Sequence, residues 1–214
     1  MAIQAFIYRT LSYNLFDNVY GKGKVVDKRV EKTQLALKNA LLEALKKKRL
    51  ADITVSELCS TADVSRSTFY SNYPNVFDVF IALVVDFSYE TKSLKSHLRC
   101  KECEESEGKL PYCIAVRKTT RYKDVVRQDC FLPLLLKVLE NTNNQIINMD
   151  SYCELGLPPK IANNIMRFQM AGCHATALHE TDDEIWCETQ RCIDTFIVGG
   201  LNALRSNNHT QKEV

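Results

Sequence analysis

The stretch TADVSRSTFYSNY, residues 61–73, crowds hydroxyls, a carboxamide and one arginine behind an apolar segment. Short donors of this kind suit either a solvated loop or a helix laid against phosphates and base edges. A second candidate is Cys100-Lys101-Glu102-Cys103, whose C-x-x-C spacing lets two thiolates reach one metal. No second C-x-x-C and no H-x-x-x-H accompanies it, so these thiols are expected to be ordinary ones and no metal or other cofactor is expected. His174 and His179 are five residues apart, which misses the i, i+4 spacing of a helical metal pair. The Gly-Lys repeat of YGKGKVVDK lacks the full phosphate-loop spacing and reads as a flexible basic arm. No βαβ pattern surrounds the C-x-x-C, and no nucleophile, base and orienting group can be placed, so an enzyme is not expected.

The hydroxyl-rich stretch needs a scaffold, and the residues around it predict one. From Arg29, Val30, Leu37, Leu41 and Leu45 recur at helical spacing with Ala40 and Ala44 beside them, while Lys38 and Lys46 to Lys48 fall elsewhere. The run KKKR at 46–49 is expected to close this helix, where cations suit the negative end of its dipole. Thr54-Val55-Ser56-Glu57 has the T-x-x-E form of a capping box, so a short helix is predicted from near Val55 to Ala62, burying Ile53, Val55 and Leu58. Asp63 stands at the turn and tolerates the left-handed region that a turn there demands. Ser65 is placed to cap a second short helix, Arg66 to about Tyr73, which Pro74 ends. Two short helices joined by a tight turn behind a longer one make a helix-turn-helix, whose second helix offers side chains to base edges.

In residues 29–85 the chain resembles the DNA-binding domain of the TetR family of transcriptional regulators. The line TVSELCSTADVSRSTFYSNYPNVFDV matches the family pattern with Thr54, Ala62, Val64, Ser65, Phe69, Tyr70 and Tyr73 in register, and SRSTFY with Tyr73 is most similar to the branch of the dihydroxyacetone kinase regulators. Asp63 replaces the usual Gly, and Val76 replaces a Lys that in members helps to hold a phosphate; Asn75 offers a neutral donor instead. The resemblance implies phosphate contacts by Thr54, Tyr70 and Tyr73. It also implies a groove-facing side made of Arg66, Ser67, Thr68, Ser71 and Asn72, with Ser65 as cap first and phosphate donor second. Arg66 can offer two donors to a guanine and Asn72 can pair with an adenine. Phe69 is expected in the core.

The remainder reads as helical too. Seven Gly and five Pro in 214 residues leave long uninterrupted helical stretches, and the fold class expected is all-α. A three-part division is expected: an arm at 1–27, the helix-turn-helix domain at 28–76, and a helical ligand-binding and dimerisation domain at 77–214. The second part holds nine Lys/Arg against five Asp/Glu and the third sixteen against nineteen, a modestly basic module before a slightly acidic one. Residues 75–98 read as one long helix, amphipathic at first. Residues 112–147 read as two helices interrupted near Arg121 to Asp129. Pro159 opens a helix to about 178, and Thr181-Asp182-Asp183-Glu184 is a further capping box before a last helix. These final two helices correspond in order to the pair that builds the family's four-helix dimer bundle. Trp186, Ile193, Phe196, Ile197 and Leu201 form an apolar stripe that suits either that bundle or an internal core.

A small-molecule pocket is implied by the resemblance, and Phe87, Tyr89, Tyr112, Tyr122, Phe131, Phe168, Met170 and His174 are candidates because aromatic and soft side chains line such pockets. Arg9 interrupts the apolar N-terminal stretch, and no run approaches the roughly 18 apolar residues of a membrane span, so a cytoplasmic location without membrane partners is expected. Nine cysteines fit reduced thiols in that compartment. The function these features imply is a homodimeric repressor that binds double-stranded DNA at a palindrome and is released by a small-molecule effector. The alternatives are a regulator sensing thiol oxidation or zinc through Cys100 and Cys103, and a helical adaptor that has lost DNA binding.

Overall fold

The computed structural model describes residues 27–90, 112–141 and 157–210. Cys100, Cys103 and the arm up to residue 26 lie outside them. Among the described residues every regular element is a helix. The chain divides into two compact units, the first holding the described residues up to Phe87 together with Asp124–Leu134, the second holding the rest.

In the first unit, α1 (Lys28–Leu45) starts on Asp27, whose carboxylate accepts from the Arg29 amide at 2.9 Å. Leu37, Ala40, Leu41, Leu42 and Leu45 form its buried stripe. Val30, two turns before Leu37 on the same side, is exposed. The helix ends at Leu45, so the four cations of KKKR sit just beyond it rather than in its last turn. A 3₁₀ turn (Leu50–Asp52) leads to α2 (Val55–Ala62) and α3 (Arg66–Asn72), and both short helices pack on α1.

α4 (Val76–Glu90) begins where the Asn75 carboxamide oxygen accepts from the Asp78 amide at 3.1 Å. The sequence suggested an amphipathic start. Instead Val79, Phe80, Ile81, Ala82, Leu83, Val84 and Val85 are all buried, as expected for a helix apolar on every side. Lys38 and Asp86 pair at 2.6 Å and tie α1 to α4. The segment Asp124–Leu134 contains α6 (Lys123–Val126) from its second residue and the start of α7 (Phe131–Asn141). Phe131 meets Phe87 edge to face at 5.3 Å within this unit.

In the second unit, α5 (Tyr112–Lys118) packs on α8 (Pro159–His179). Pro159 stands at the first helical position, where its missing N–H costs nothing. α9 (Asp183–Thr210) is capped by Asp182 rather than Thr181: the Asp182 carboxylate accepts from Glu184 and Ile185 amides at 2.8 and 3.0 Å. Arg117 of α5 secures this corner. Its guanidinium donates to the Glu180 carbonyl, pairs with Asp183 at 2.6 Å and lies 4.7 Å over the Trp186 ring. Trp186 therefore belongs to the core of its own chain.

Candidate nucleic-acid interface

The turn between α2 and α3 is built from local chemistry. Thr54 Oγ1 accepts from the Glu57 amide at 3.3 Å while Glu57 Oε2 accepts from the Thr54 amide at 3.4 Å, the reciprocal pair of a capping box. Asp63 ends α2 in the left-handed conformation, φ 53° and ψ 49°, and is the non-glycine residue with positive φ among those described. Its short polar side chain makes that conformation cheaper than it would be for most residues. Ser65 Oγ then accepts from the Thr68 amide at 3.0 Å and starts α3.

This geometry sorts the sequence-derived residues. Thr54, Ser65, Arg66, Ser67, Tyr70 and Ser71 are exposed, and Thr68 and Asn72 are partly so. Ser65 Oγ lies 2.8 Å from both the Ser67 and Thr68 hydroxyls, so these three share protons among themselves. The Ser71 hydroxyl donates back to the Ser67 carbonyl at 2.9 Å. The Arg66 side chain has no ion-pair or hydrogen-bond partner among the described residues and is exposed. Tyr70 is 58% exposed, its ring steadied edge-on against Phe69 at 5.4 Å. The Thr54 hydroxyl accepts within the cap and so keeps its own proton to donate elsewhere.

Two residues are placed differently from the expectation. Tyr73 is 1% exposed and its hydroxyl is buried without a partner, so a phosphate contact would require the core to open. Burial first, and the Asp86 charge second, push its phenol far above the usual range. The signal was in the spacing: Tyr73 is four residues after the buried Phe69 and so on its face of the helix. Asn72 donates its amide to the Thr68 carbonyl at 2.8 Å, and its other amide atom is buried without a partner, so it does not present its edge to a base. Removing an unsatisfied buried hydroxyl relieves a desolvation cost. Tyr73→Phe is therefore expected to leave DNA affinity unchanged and to raise unfolding stability by up to about 1 kcal/mol in urea titrations. A tenfold loss of affinity would restore the hydroxyl to the interface.

The basic run is largely neutralised within the chain. Lys46 pairs with Glu43, Lys48 with Glu57 and Arg49 with Asp52. The Lys48 hydrogen bond, with help from the Thr54 backbone, holds the Glu57 carboxyl below its usual range. Of that run Lys47 has no ionic partner among the described residues, and neither has Arg66 of α3.

The pocket candidates fall in both units. Phe87 and Phe131 pair in the first, and both are fully buried. In the second, the Tyr112 hydroxyl meets His174 Nδ1 at 2.8 Å with the rings stacked, while Tyr122 and Met170 are buried. Phe168 is 74% exposed. It lies on a groove of about 480 Å³ between α8 and α9 with Ile165, Gly172, Phe196, Ile197 and Leu204. Burial, then the neighbouring Cys113 and Asp194, push the Cys173 thiol up to about 12, which disfavours thiolate chemistry there. Among the described residues no His, Cys, Asp and Glu group could hold a metal, and no helix is long and apolar enough to cross a membrane.

No protein-family model matches the chain. A curated relative from Bacillus subtilis (strain 168), named as the uncharacterized HTH-type transcriptional regulator YxbF, is 32% identical over 83 residues. The match takes in 35% of this chain and 22% of the relative, so the chain spans about a fifth of that protein's length. The similarity and the all-α fold together support a helix-turn-helix regulator in general terms.

Proposed function

We propose that the chain is a sequence-specific DNA-binding transcriptional regulator of the TetR type, acting as a homodimer and as a repressor that a small-molecule effector releases. The observation that carries this reading is the capped α2–turn–α3 unit, with Asp63 left-handed and Arg66, Ser67, Tyr70 and Ser71 exposed on a helix that has no acidic residue. α3 enters the major groove. Arg66 reads a base edge, and the Thr54 and Tyr70 hydroxyls grip the flanking phosphates.

A helix of seven residues makes too few contacts for tight specific binding by one copy, so two copies must act on half-sites about one duplex turn apart, roughly 34–36 Å. The α8–α9 groove supports a second copy as its occupant. Phe168 and Phe196 are each 74% exposed there. Gly172, Gly199 and Gly200 meet no atom within 4 Å where a Cβ would stand, so nothing in the described chain requires glycine at these helical positions. Glycine inside a helix costs about 0.5–1 kcal/mol relative to alanine, which close approach by a partner helix would offset. The division into an N-terminal arm, a reader at 28–76 and a regulatory part at 77–214 belongs to the same reading. An effector that favours a dimer with displaced α3 helices lowers operator affinity by its differential affinity for that state.

Selection of bound duplexes from random DNA tests the proposal. A palindrome with half-sites one turn apart is the expected outcome, and recovery of no sequence-specific, salt-dependent binding would remove it. With that operator in hand, Arg66→Ala is expected to weaken binding about tenfold per half-site and to relax the preference at one base position while barely changing nonspecific binding. Equal losses on operator and random duplexes would make Arg66 a phosphate contact.

A further inference from the structure

The geometry points to Gln128 as a positioning residue for the DNA-reading unit, one that acts through the turn ahead of Thr54 and rests on the DNA-binding reading above. The 3₁₀ turn Leu50–Asp52 begins without a side-chain cap of its own, because Arg49 at its N-cap makes no such hydrogen bond. Two amides here find partners within the turn, Asp52 on the Arg49 carbonyl at 3.0 Å and Ile53 on the Leu50 carbonyl at 3.3 Å. The Leu50 amide instead donates to Gln128 Oε1 at 3.3 Å, a partner 78 residues away. A first-turn amide left without an acceptor in a part-buried place is costly, so this distant carboxamide does the work of a cap.

Gln128 is itself held firmly enough to serve. Its Nε2 donates to the Asp124 carbonyl at 3.1 Å, its own amide to Val125 at 3.1 Å, and its carbonyl accepts from Phe131 at 2.8 Å. Phe131, three residues on, is fully buried against Phe87 of α4 in the same unit. The carboxamide thus reaches Leu50 from a segment fixed at its other end to the core. Four residues after Leu50 stands Thr54, the cap of α2 and the phosphate-facing hydroxyl. Between them only Ile53 is buried, and the other bonds of the lead-in are local, so the Leu50 bond is the one that ties this turn to the segment around Gln128.

The test compares three full-length proteins: the wild type, Gln128→Met, which keeps the shape and removes both hydrogen bonds, and Gln128→Glu, which keeps an acceptor. Hydrogen exchange over the peptide containing Leu50 to Thr54 is read beside affinity for a duplex recovered by selection from random DNA. In Gln128→Met, exchange at Leu50 is expected to quicken about fivefold or more, with DNA affinity falling about three- to tenfold. Gln128→Glu keeps the acceptor for the Leu50 amide but sets a carboxylate oxygen in place of the donor against the Asp124 carbonyl, so its exchange and affinity are expected to fall between wild type and Gln128→Met. Faster exchange with unchanged affinity in Gln128→Met would make the bond merely structural and overturn the proposal, as would unchanged exchange. Wild-type protein that binds no duplex would overturn the DNA-binding reading and this proposal with it, whereas loss of binding in Gln128→Met alone leaves the reading standing.

Discussion

A glutamate in place of Phe196 is expected to turn the protein from dimer to monomer in analytical ultracentrifugation and to weaken operator binding by about 100-fold or more. The side chain is 74% exposed in the described chain, on the α8–α9 groove, so the substitution removes little from the fold of one copy. In an isologous contact the same change is felt twice, and each copy then brings an unpaired charge into an apolar seam. The affinity loss follows from geometry rather than from any contact with DNA. Two readers joined in one dimer bind the second half-site as an intramolecular event, and separating them forfeits that gain, typically 10²–10⁴-fold. Gly172→Leu is the companion variant. Nothing lies within 4 Å of the added Cβ, and leucine favours a helix over glycine, so the single chain should be no less stable. Dimer loss in both variants, with the helical content of the folded chain unchanged by circular dichroism, is the expected pattern. A dimer that survives Phe196→Glu would place the interface elsewhere.

The parts of this site that were legible in the sequence are the ones whose causes are local. Thr54 with Glu57 and Ser65 with Thr68 close hydrogen bonds across three residues, and Asp63 takes a conformation that its own side chain makes tolerable. Such features depend on spacing alone. Asn72 shows the limit: in sequence it is a polar residue near the end of a reading helix, but whether its amide points to a base or back to Thr68 depends on what α3 packs against. Trp186 and Phe196 shared one apolar stripe by spacing, yet Arg117, from another helix, draws Trp186 into the chain's own core and leaves Phe196 outside. The cap that Gln128 lends to Leu50 had no signal at all, because a bond across 78 residues leaves no period in either segment.

Asp78→Asn is expected to raise unfolding stability by about 3 kcal/mol at pH 8 and by almost nothing at pH 4. Asp78 is 1% exposed in the first turn of α4. The Asn75 side chain is near enough to favour the charged form weakly, but neither carboxyl oxygen finds a partner in hydrogen-bond geometry. Burial dominates and raises the carboxyl to about 6 from 3.8. The folded protein therefore binds more protons than the unfolded chain between those values, so wild-type stability falls as pH rises through about 4 to 6 and is flat above. Two pKa units correspond to about 3 kcal/mol, which is the stability the ionised carboxyl costs the wild type above that window. Asparagine keeps the size and cannot ionise, so the slope over that window should vanish in the variant. Urea titrations of both proteins from pH 4 to 8 measure it directly. Parallel stability curves would mean that Asp78 is satisfied in solution by a group or water that lowers its carboxyl again. Because Asp78 follows the turn that closes α3, a variant that is more stable and equally tight on DNA would also show that the cost is not needed for reading.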